Sequence, residues 1–313
     1  MKIVIVGAGM AGMACAQSLG EAGHTVTLFD KGRGAGGRMS TRRISLDGMS
    51  LTFDHGAQYF TARGSAFREQ VVLWHRKGIV APWPAAADDA WVGTPGMNAP
   101  IAHMATRQDV HFSSHVMGLA REGQQWQVLL QDGRCQGPYD AAILALPAEQ
   151  AAAFLGAHDL RMAIYATAAR SRPCWTALVA FEDRLPIETD VLRRAGPIPW
   201  AARDSAKPCR SGAIETWVVQ AGAEWSTRHL EAEPQEVAGE LATWLADQTG
   251  SAPVPHRTYL AAHRWRYAMT RPSSHGALWN GDLSLGACGD WLLGPRIELA
   301  WQSGVMLAER VLA

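Results

Sequence analysis

The chain carries no excess of charge of either sign: 29 Lys and Arg face 29 Asp and Glu, for a formal net charge of zero. Without a basic surplus there is no electrostatic footprint for nucleic acid or an anionic membrane surface, so neither partner is expected. Lysine itself is scarce, occurring only as Lys2, Lys31, Lys77 and Lys207. Long apolar runs are missing too, and none approaches the ~18 residues of a membrane span. No leader-like segment precedes the apolar run that starts at Ile3, which sets the expectation of a cytoplasmic protein. The five cysteines are odd in number and scattered, giving neither a disulfide framework nor a metal-ligand spacing. No internal repeat, low-complexity tract, Ser/His/Asp arrangement or Cys/His arrangement stands out. Tryptophan, by contrast, is plentiful at 13 residues, enough to fill a core and still line a site for flat rings.

Ile3–Val6 is a short unbroken apolar run, the pattern of a parallel strand buried on both faces. Gly7, Gly9 and Gly12 follow at GxGxxG spacing. In that pattern the first glycine makes the turn, the second lets backbone approach a pyrophosphate, and the third lets helix pack on strand. A helix from Met10 through Ala11 to about Ala22 then points its positive end at the phosphates. Gly23 ends it and a second strand, His24–Phe29, delivers Asp30 eighteen residues after Gly12, in register for a ribose hydroxyl. Far along the chain, Gly289-Asp290 closes another apolar stretch and precedes a helix with small residues from about Ile297. A flavin dinucleotide needs that second element, and a nicotinamide-only enzyme does not.

Between these ends the sequence predicts a strand and turn over Leu51–Phe60, a helix over 64–78, and a Pro/Ala/Trp-rich segment wandering over 79–100. A short strand over Val110–Phe112 and a hairpin of Val116–Ala120 with Trp126–Leu130 around Glu122-Gly123 come next. Asp140–Pro147 reads as a buried strand. Strands over Trp175–Phe181, Ile214–Gln220 and Tyr259–Tyr267 and a helix over 234–249 follow. The expected fold is α/β: a Rossmann-like dinucleotide domain from 1–62, 105–150 and 280–313, with an inserted α+β substrate domain from 63–104 and 151–279 containing an antiparallel sheet. Period-two alternation puts His263, Trp265 and Tyr267 on one strand face and Arg264 and Arg266 on the other.

Five blocks, in order along the chain, carry a resemblance. They are Lys31-Gly32-Arg33-Gly34-Ala35-Gly36-Gly37-Arg38-Met39 continuing to Arg43, Asp54-His55-Gly56-Ala57-Gln58-Tyr59-Phe60, Ser205-Ala206-Lys207-Pro208, His263–Ala268 and Gly289-Asp290-Trp291. The sequence resembles the flavin amine oxidase superfamily and, within it, bacterial renalase-like proteins. One departure is Asp30, where glutamate is common. The resemblance implies non-covalent FAD, with Cys288 in no attachment pattern. Asp30 and Lys31 would stand at the adenosine ribose, Gly37 and Arg38 at the pyrophosphate, and Val116 would offer backbone to adenine. Gly56, Ala57 and Gln58 would lie near the reactive ring. Asp290 would take a flavin-side phosphate or ribityl hydroxyl. The helix carrying Ile297 and Glu298 would aim at the flavin N1–C2=O edge.

The implied activity is oxidation of 2- or 6-dihydro-NAD(P) to NAD(P)+, with oxygen reduced to peroxide. His263, Trp265 and Tyr267 would face the flavin, and Arg264 and Arg266 would bind substrate phosphates. Such a hydride loss releases no proton, so no general base is required. Lys207 stays open between a loop lysine and a lysine near flavin N5. Three other readings also stay open: an amine oxidase, a flavin-free pyridine-nucleotide dehydrogenase and a flavin-binding module without turnover. Nothing in the sequence specifies an oligomeric state.

Overall fold

The computed structural model describes every residue except 195 and 211–213. The chain starts with β1 (Lys2–Val6), α1 (Met10–Glu21) and β2 (Thr25–Phe29), as the apolar runs and glycines predict. A hairpin of β3 (Thr41–Leu46) and β4 (Met49–Asp54) follows, turned by Asp47-Gly48 with both φ positive. Then come α2 (Ser65–Arg76), a small hairpin of β5 (Val80–Pro82) and β6 (Trp91–Gly93), α3 (Ala99–Ala105) and β7 (Asp109–His111). An antiparallel meander of β8 (Val116–Glu122), β9 (Gln125–Leu130) and β10 (Cys135–Tyr139) leads back to β11 (Ala141–Leu144). Next are α4 (Ala148–Leu155), α5 (Leu160–Ala168), β12 (Ser171–Phe181), β13 (Val191–Arg193), β14 (Trp200–Arg203) and β15 (Glu215–Gln220). The chain closes with α6 (Ala223–Arg228), α7 (Pro234–Asp247), β16 (Arg257–Thr270), β17 (Leu278–Asn280), β18 (Leu285–Ala287) and α8 (Ile297–Leu312).

Two sheets position the site. The first runs β17-β18-β11-β1-β2-β7, parallel except for edge strand β17. Its strands come from the start, middle and end of the chain, and β1, β11 and β18 are apolar and buried as a doubly covered parallel sheet requires. Helices α1 and α8 pack together on one side. A Cβ at Gly304 would lie 2.1 Å from Ala11 O, so only glycine permits that approach. Phe67, Trp74, Ile101 and Met104 from α2 and α3 join Met13 and Cys15 of α1 in the same core.

The second sheet is antiparallel, ordered β13-β14-β15-β12-β16. Alternation along β12 divides its neighbours. Trp175, Ala177 and Val179 pack under Val237, Leu241 and Leu245 of α7, while Leu178 and Ala180 pack against Leu51 and Phe53 of β4. No helix among the described residues is long and apolar enough to cross a membrane.

Residues 79–100, expected to wander, instead contain the β5–β6 hairpin. Several short elements carry too little periodicity to read in advance, among them β10, β13, β14, α4 and α5.

Candidate active site

Gly7 has φ +103°, and its N–H donates to Phe29 O at 2.8 Å, which locks the turn between β1 and α1 to the end of β2. Gly9 is the N-cap of α1. No side chain caps this helix and no acid sits in its first turn. A Cβ on Gly9 would meet nothing within 4 Å, so the free N–H groups of Met10, Ala11 and Gly12 open onto space. That is the geometry of an anion site. Asp30 stands beside it. Its carboxylate accepts from Ala8 N at 2.7 Å and Gly32 N at 2.6 Å, which fixes the group while leaving lone pairs for a ribose. The run leading to Val116 is tied to the same place, since Ser114 N donates to Asp30 O and Ser113 N to Gly32 O. Lys31 is exposed at this rim.

The second glycine-rich segment folds over the first. A Cβ on Gly37 would lie 3.6 Å from Gly9 Cα. Arg38 then reaches Asp290, donating Nη1 to Oδ2 at 2.7 Å and Nη2 to Oδ1 at 2.5 Å. Residues far apart in the sequence thus form a bidentate pair lining one cleft. Ile297 begins α8, and no side chain caps that helix either. Glu298 is 2% exposed, and its Oε1 accepts from Arg63 N and Gly64 N at the entry to α2. This carboxylate tethers the first turn of α8 to the segment entering α2.

Gly56 is pinned from three sides. A Cβ there would lie 2.0 Å from Arg38 O and 3.3 Å from the ring of Trp265. Its carbonyl accepts from Gln58 Nε2 at 3.1 Å and Gln220 Nε2 at 2.7 Å, while Ala57 N donates to Arg38 O at 2.9 Å. Trp265 Nε1 donates to His55 O at 2.8 Å. The rings of His55, His263 and Trp265 cluster at centroid distances of 4.5 to 5.1 Å. Burial, with the positive field of Arg42, lowers both histidines to about 4, so both are neutral at pH 7.

Strand β16 corrects one expectation. Trp265 pairs with Cys174 and His263 with Thr176, the face of β12 turned toward β4, whereas Arg264 pairs with Trp175, the face turned toward α7. Arg264 and Arg266 both bind Glu231 there, at 2.9 and 2.7 Å. They are on the far side of the sheet from Trp265, share the single carboxylate of Glu231, and do not line its cavity. Pro173, which has no N–H to give the ladder, faces the irregular stretch between Trp265 and Met269, the stretch that contains Tyr267.

Sequence reasoning did not foresee the charged cluster behind Gln58. Lys207 and Asp54 are both fully buried. Lys207 Nζ lies 3.2 Å from Asp54 Oδ2, 3.3 Å from Gln58 Oε1 and, off the hydrogen-bonding direction, 2.6 Å from Asp204 Oδ1. Arg210 Nη2 adds a 2.5 Å bond to Asp54 Oδ2, and Thr41 Oγ1 and Met97 N donate to Oδ1. The two cations and these hydrogen bonds outweigh the burial of Asp54 and hold its carboxyl below the usual range. Burial raises Asp204. The scarcity of lysine was the one signal in the sequence that pointed here.

An uncapped helix end facing open space, a fixed acid in reach of a ribose and an Arg–Asp pair across the cleft fit an FAD. An Asp30→Ala variant is expected to lose charge-assisted hydrogen bonds worth about 1.5–3 kcal/mol, weakening FAD retention roughly tenfold to hundredfold. Fluorimetric titration of apoprotein with FAD checks this, and unchanged affinity would mean that the ribose lies elsewhere.

Comparison with known proteins agrees with this geometry. Residues 5–71 match the family described as NAD(P)-binding Rossmann-like domain, and residues 85–312 match Flavin containing amine oxidoreductase. A 4,4'-diapophytoene desaturase (4,4'-diaponeurosporene-forming) of Staphylococcus aureus strain Newman is 36% identical over 83 residues, 23% of this chain and 16% of that protein. The chain thus spans under a fifth of the length of the curated relatives it matches. Cyclohexylamine oxidase from Brevibacterium oxydans IH-35A superposes with a TM-score of 0.73 at 12% identity, covering 99% of this chain and 98% of the other. Putrescine oxidase superposes with a TM-score of 0.63 at 13% identity, covering 100% and 99%. These structures share the fold. The second family match covers well over half of the residues, and the chain belongs to the flavin-containing amine oxidoreductases, as an oxidoreductase whose cofactor is FAD.

Proposed function

We propose that the protein oxidises dihydronicotinamide dinucleotides reduced at the wrong ring position, 2- or 6-dihydro-NAD(P), to NAD(P)+, with dioxygen reduced to hydrogen peroxide. The supporting observation is that, among the described residues, the wall around Gly56 offers no competent base. His55 and His263 sit at about 4, whereas an alkylammonium substrate titrates near 10. Proton transfer from such an ammonium to either ring would be uphill by about 8 kcal/mol. Lys207 is held by two buried carboxylates and Gln58, so it does not serve either. A dihydropyridine needs no base, because its ring nitrogen is alkylated and hydride loss leaves no proton to remove. Orientation is then the main demand on the protein.

The chain's own residues meet that demand. Trp265 is fixed by His55 O, and the Gly56 carbonyl by Gln58 and Gln220. FAD, bound without a covalent link, would supply the two-electron acceptor, and return of the hydride's two electrons to dioxygen as hydrogen peroxide would take one further proton from solvent. Met10, Ala11 and Gly12 would hold its phosphates, Asp30 its ribose and the segment at Val116 its adenine. Gly37 and Arg38 would line the pyrophosphate, and Asp290 with the α8 end at Ile297 the flavin side. On this reading residues 1–62, 105–150 and 280–313 carry the cofactor, and residues 63–104 and 151–279 shape the substrate side.

The test is anaerobic rapid mixing of the holoenzyme with 2- and 6-dihydro-NAD(P) and with a panel of primary and secondary amines, following loss of flavin absorbance. Bleaching by a dihydronicotinamide isomer within a second is the expected result. Bleaching by amines alone would overturn the reading in favour of amine oxidation.

A further inference from the structure

Charge balance accounts for two contacts of Lys207 and leaves a third over. Its ammonium has Asp54 Oδ2 at 3.2 Å and Asp204 Oδ1 at 2.6 Å, and it lies 5.2 Å from the ring centroid of buried Trp83. The third oxygen it meets, at 3.3 Å, is neutral: Oε1 of Gln58, a side chain only 5% exposed.

An amide has a donating end and an accepting end, and the two exchange places when the group turns over. Gln58 is offered no such choice. Lys207 can only donate, whereas Asp54 O and Gly56 O, which Nε2 reaches, can only accept. A turned amide would set its N–H groups against an ammonium and its oxygen against two carbonyls, leaving buried groups unpaired on both sides. Without the ammonium, Oε1 has no donor among the described residues, and the amide is held from one side only.

Gln58 passes that constraint to the wall beside Trp265. Its Nε2 and that of Gln220 both donate to Gly56 O, at 3.1 and 2.7 Å, and Ala57 N donates to Arg38 O at 2.9 Å. The peptide linking Gly56 to Ala57 is therefore held at both its oxygen and its nitrogen. Trp265 packs on the same residue, since a Cβ on Gly56 would lie 3.3 Å from its ring. The contacts run from Lys207, in the connection between β14 and β15, through Gln58 to Gly56.

We propose that Lys207 is a positioning residue: acting through Gln58 from behind the site, it fixes the Gly56–Ala57 peptide against which the flavin and the substrate ring are aligned. This role deepens the proposed activity and rests on it for the placing of the reacting rings at this wall. Hydride transfer depends steeply on such alignment, so the effect belongs in rate and not in affinity.

The test is a mutant cycle on holoenzyme. One arm is Gln58→Met. The other is the charge-balanced pair Lys207→Met with Asp204→Asn, in which residue 204 keeps an acceptor for Asp54 N. A third variant combines them. In anaerobic reduction by 6-dihydro-NAD, each arm is expected to lose about tenfold in limiting rate, with apparent Kd within about threefold of wild type. The combined variant is expected to be no slower than Gln58→Met, because a residue that acts only through Gln58 has nothing left to act on. A merely structural lysine gives a different pattern, in which independent losses multiply to about a hundredfold. Flavin content and melting temperature report whether each variant is folded.

A second readout does not depend on the reductant. Hydrogen exchange of the Ala57 amide in oxidised holoenzyme is expected to be at least about tenfold faster in both arms, and no faster in the combined variant than in Gln58→Met. Should the pair not retain flavin, Gln58→Met alone still tests the link, and an unchanged Ala57 amide there overturns it.

If dihydronicotinamide isomers do not bleach the wild-type flavin, the activity is wrong, and the Ala57 amide decides by itself whether Lys207 fixes the peptide. If they bleach it, and the charge-balanced pair keeps the wild-type limiting rate or the losses multiply, Lys207 is not a positioning residue and the activity stands. Wild-type protection of Ala57 in the charge-balanced pair overturns this role outright.

Discussion

Replacing Lys207 by methionine is expected to destabilise the protein by about 3–5 kcal/mol, the cost of removing one partner from a buried ion pair. Lys207, Asp54 and Asp204 are all fully buried, and the charges of Asp54 and Asp204 are balanced by those of Lys207 and Arg210. Without the ammonium, one negative charge has no counterpart and no water to replace it. The double variant Lys207→Met, Asp204→Asn removes one charge of each sign and is expected to recover much of the loss. Urea unfolding of both variants at pH 7.5 measures this. A single variant within about 1 kcal/mol of wild type, well below the buried-pair cost, would show that the cluster does not carry its charges into the fold. The pH also matters. Burial raises the Asp204 pKa, so the single variant can relieve itself by protonating Asp204, and its deficit is expected to shrink at pH 5.

The second large effect is on acid stability. Folded His55 has its pKa depressed from 6.5 to about 4, chiefly by burial, and it is 6% exposed. A depressed histidine contributes nothing adverse above pH 6.5, where both folded and unfolded states are neutral. As pH falls, the unfolded chain binds a proton that the folded chain refuses, so stability drops from about 6.5 and the loss is complete near pH 4. For His55 this amounts to about 3 kcal/mol. His263, lowered to about 4 by burial and Arg42, acts in the same direction. Loss of the Asp54 ion pairs begins lower, as pH falls below the ordinary carboxylate range, so the two effects separate. Urea midpoints between pH 7.5 and 4.5 are expected to fall steeply for wild type and more gently for His55→Gln. Parallel curves would mean that the ring takes up a proton inside the fold.

How far the sequence foretold this molecule depended on how local each signal was. β1, α1 and β2 were readable because an apolar run, three spaced glycines and an acid all lie within the first thirty residues. The β3–β4 hairpin was missed, although Asp47-Gly48 is the two-residue turn signal that marks one. Arg264 and Arg266 show a different failure. Alternation placed them opposite Trp265 correctly, but their shared partner Glu231 is far away in sequence, so nothing local showed that both are engaged by it. Period-two reasoning along β16 assumes an unbroken ladder, and the irregularity between Trp265 and Met269 lies opposite Pro173 on another strand, where no pattern local to β16 could show it. The Lys207 cluster joins residues about 150 positions apart, beyond any pattern in a window.

The packing of α8 over α1 through Gly304 also governs the order of assembly. Helix α1 is synthesised well ahead of α8, the helix that covers it, with about 290 residues between their starts. At about 5–20 residues per second, the apolar face of α1 waits roughly 15–60 s for its cover. During that interval Ala11 and Cys15 have no Gly304 to close against, and Arg38 has no Asp290. Cofactor capture is thus expected to wait for α8, and a chain stalled before Ile297 is expected to be more exposed to chaperones and proteases than one in which α8 has closed over α1.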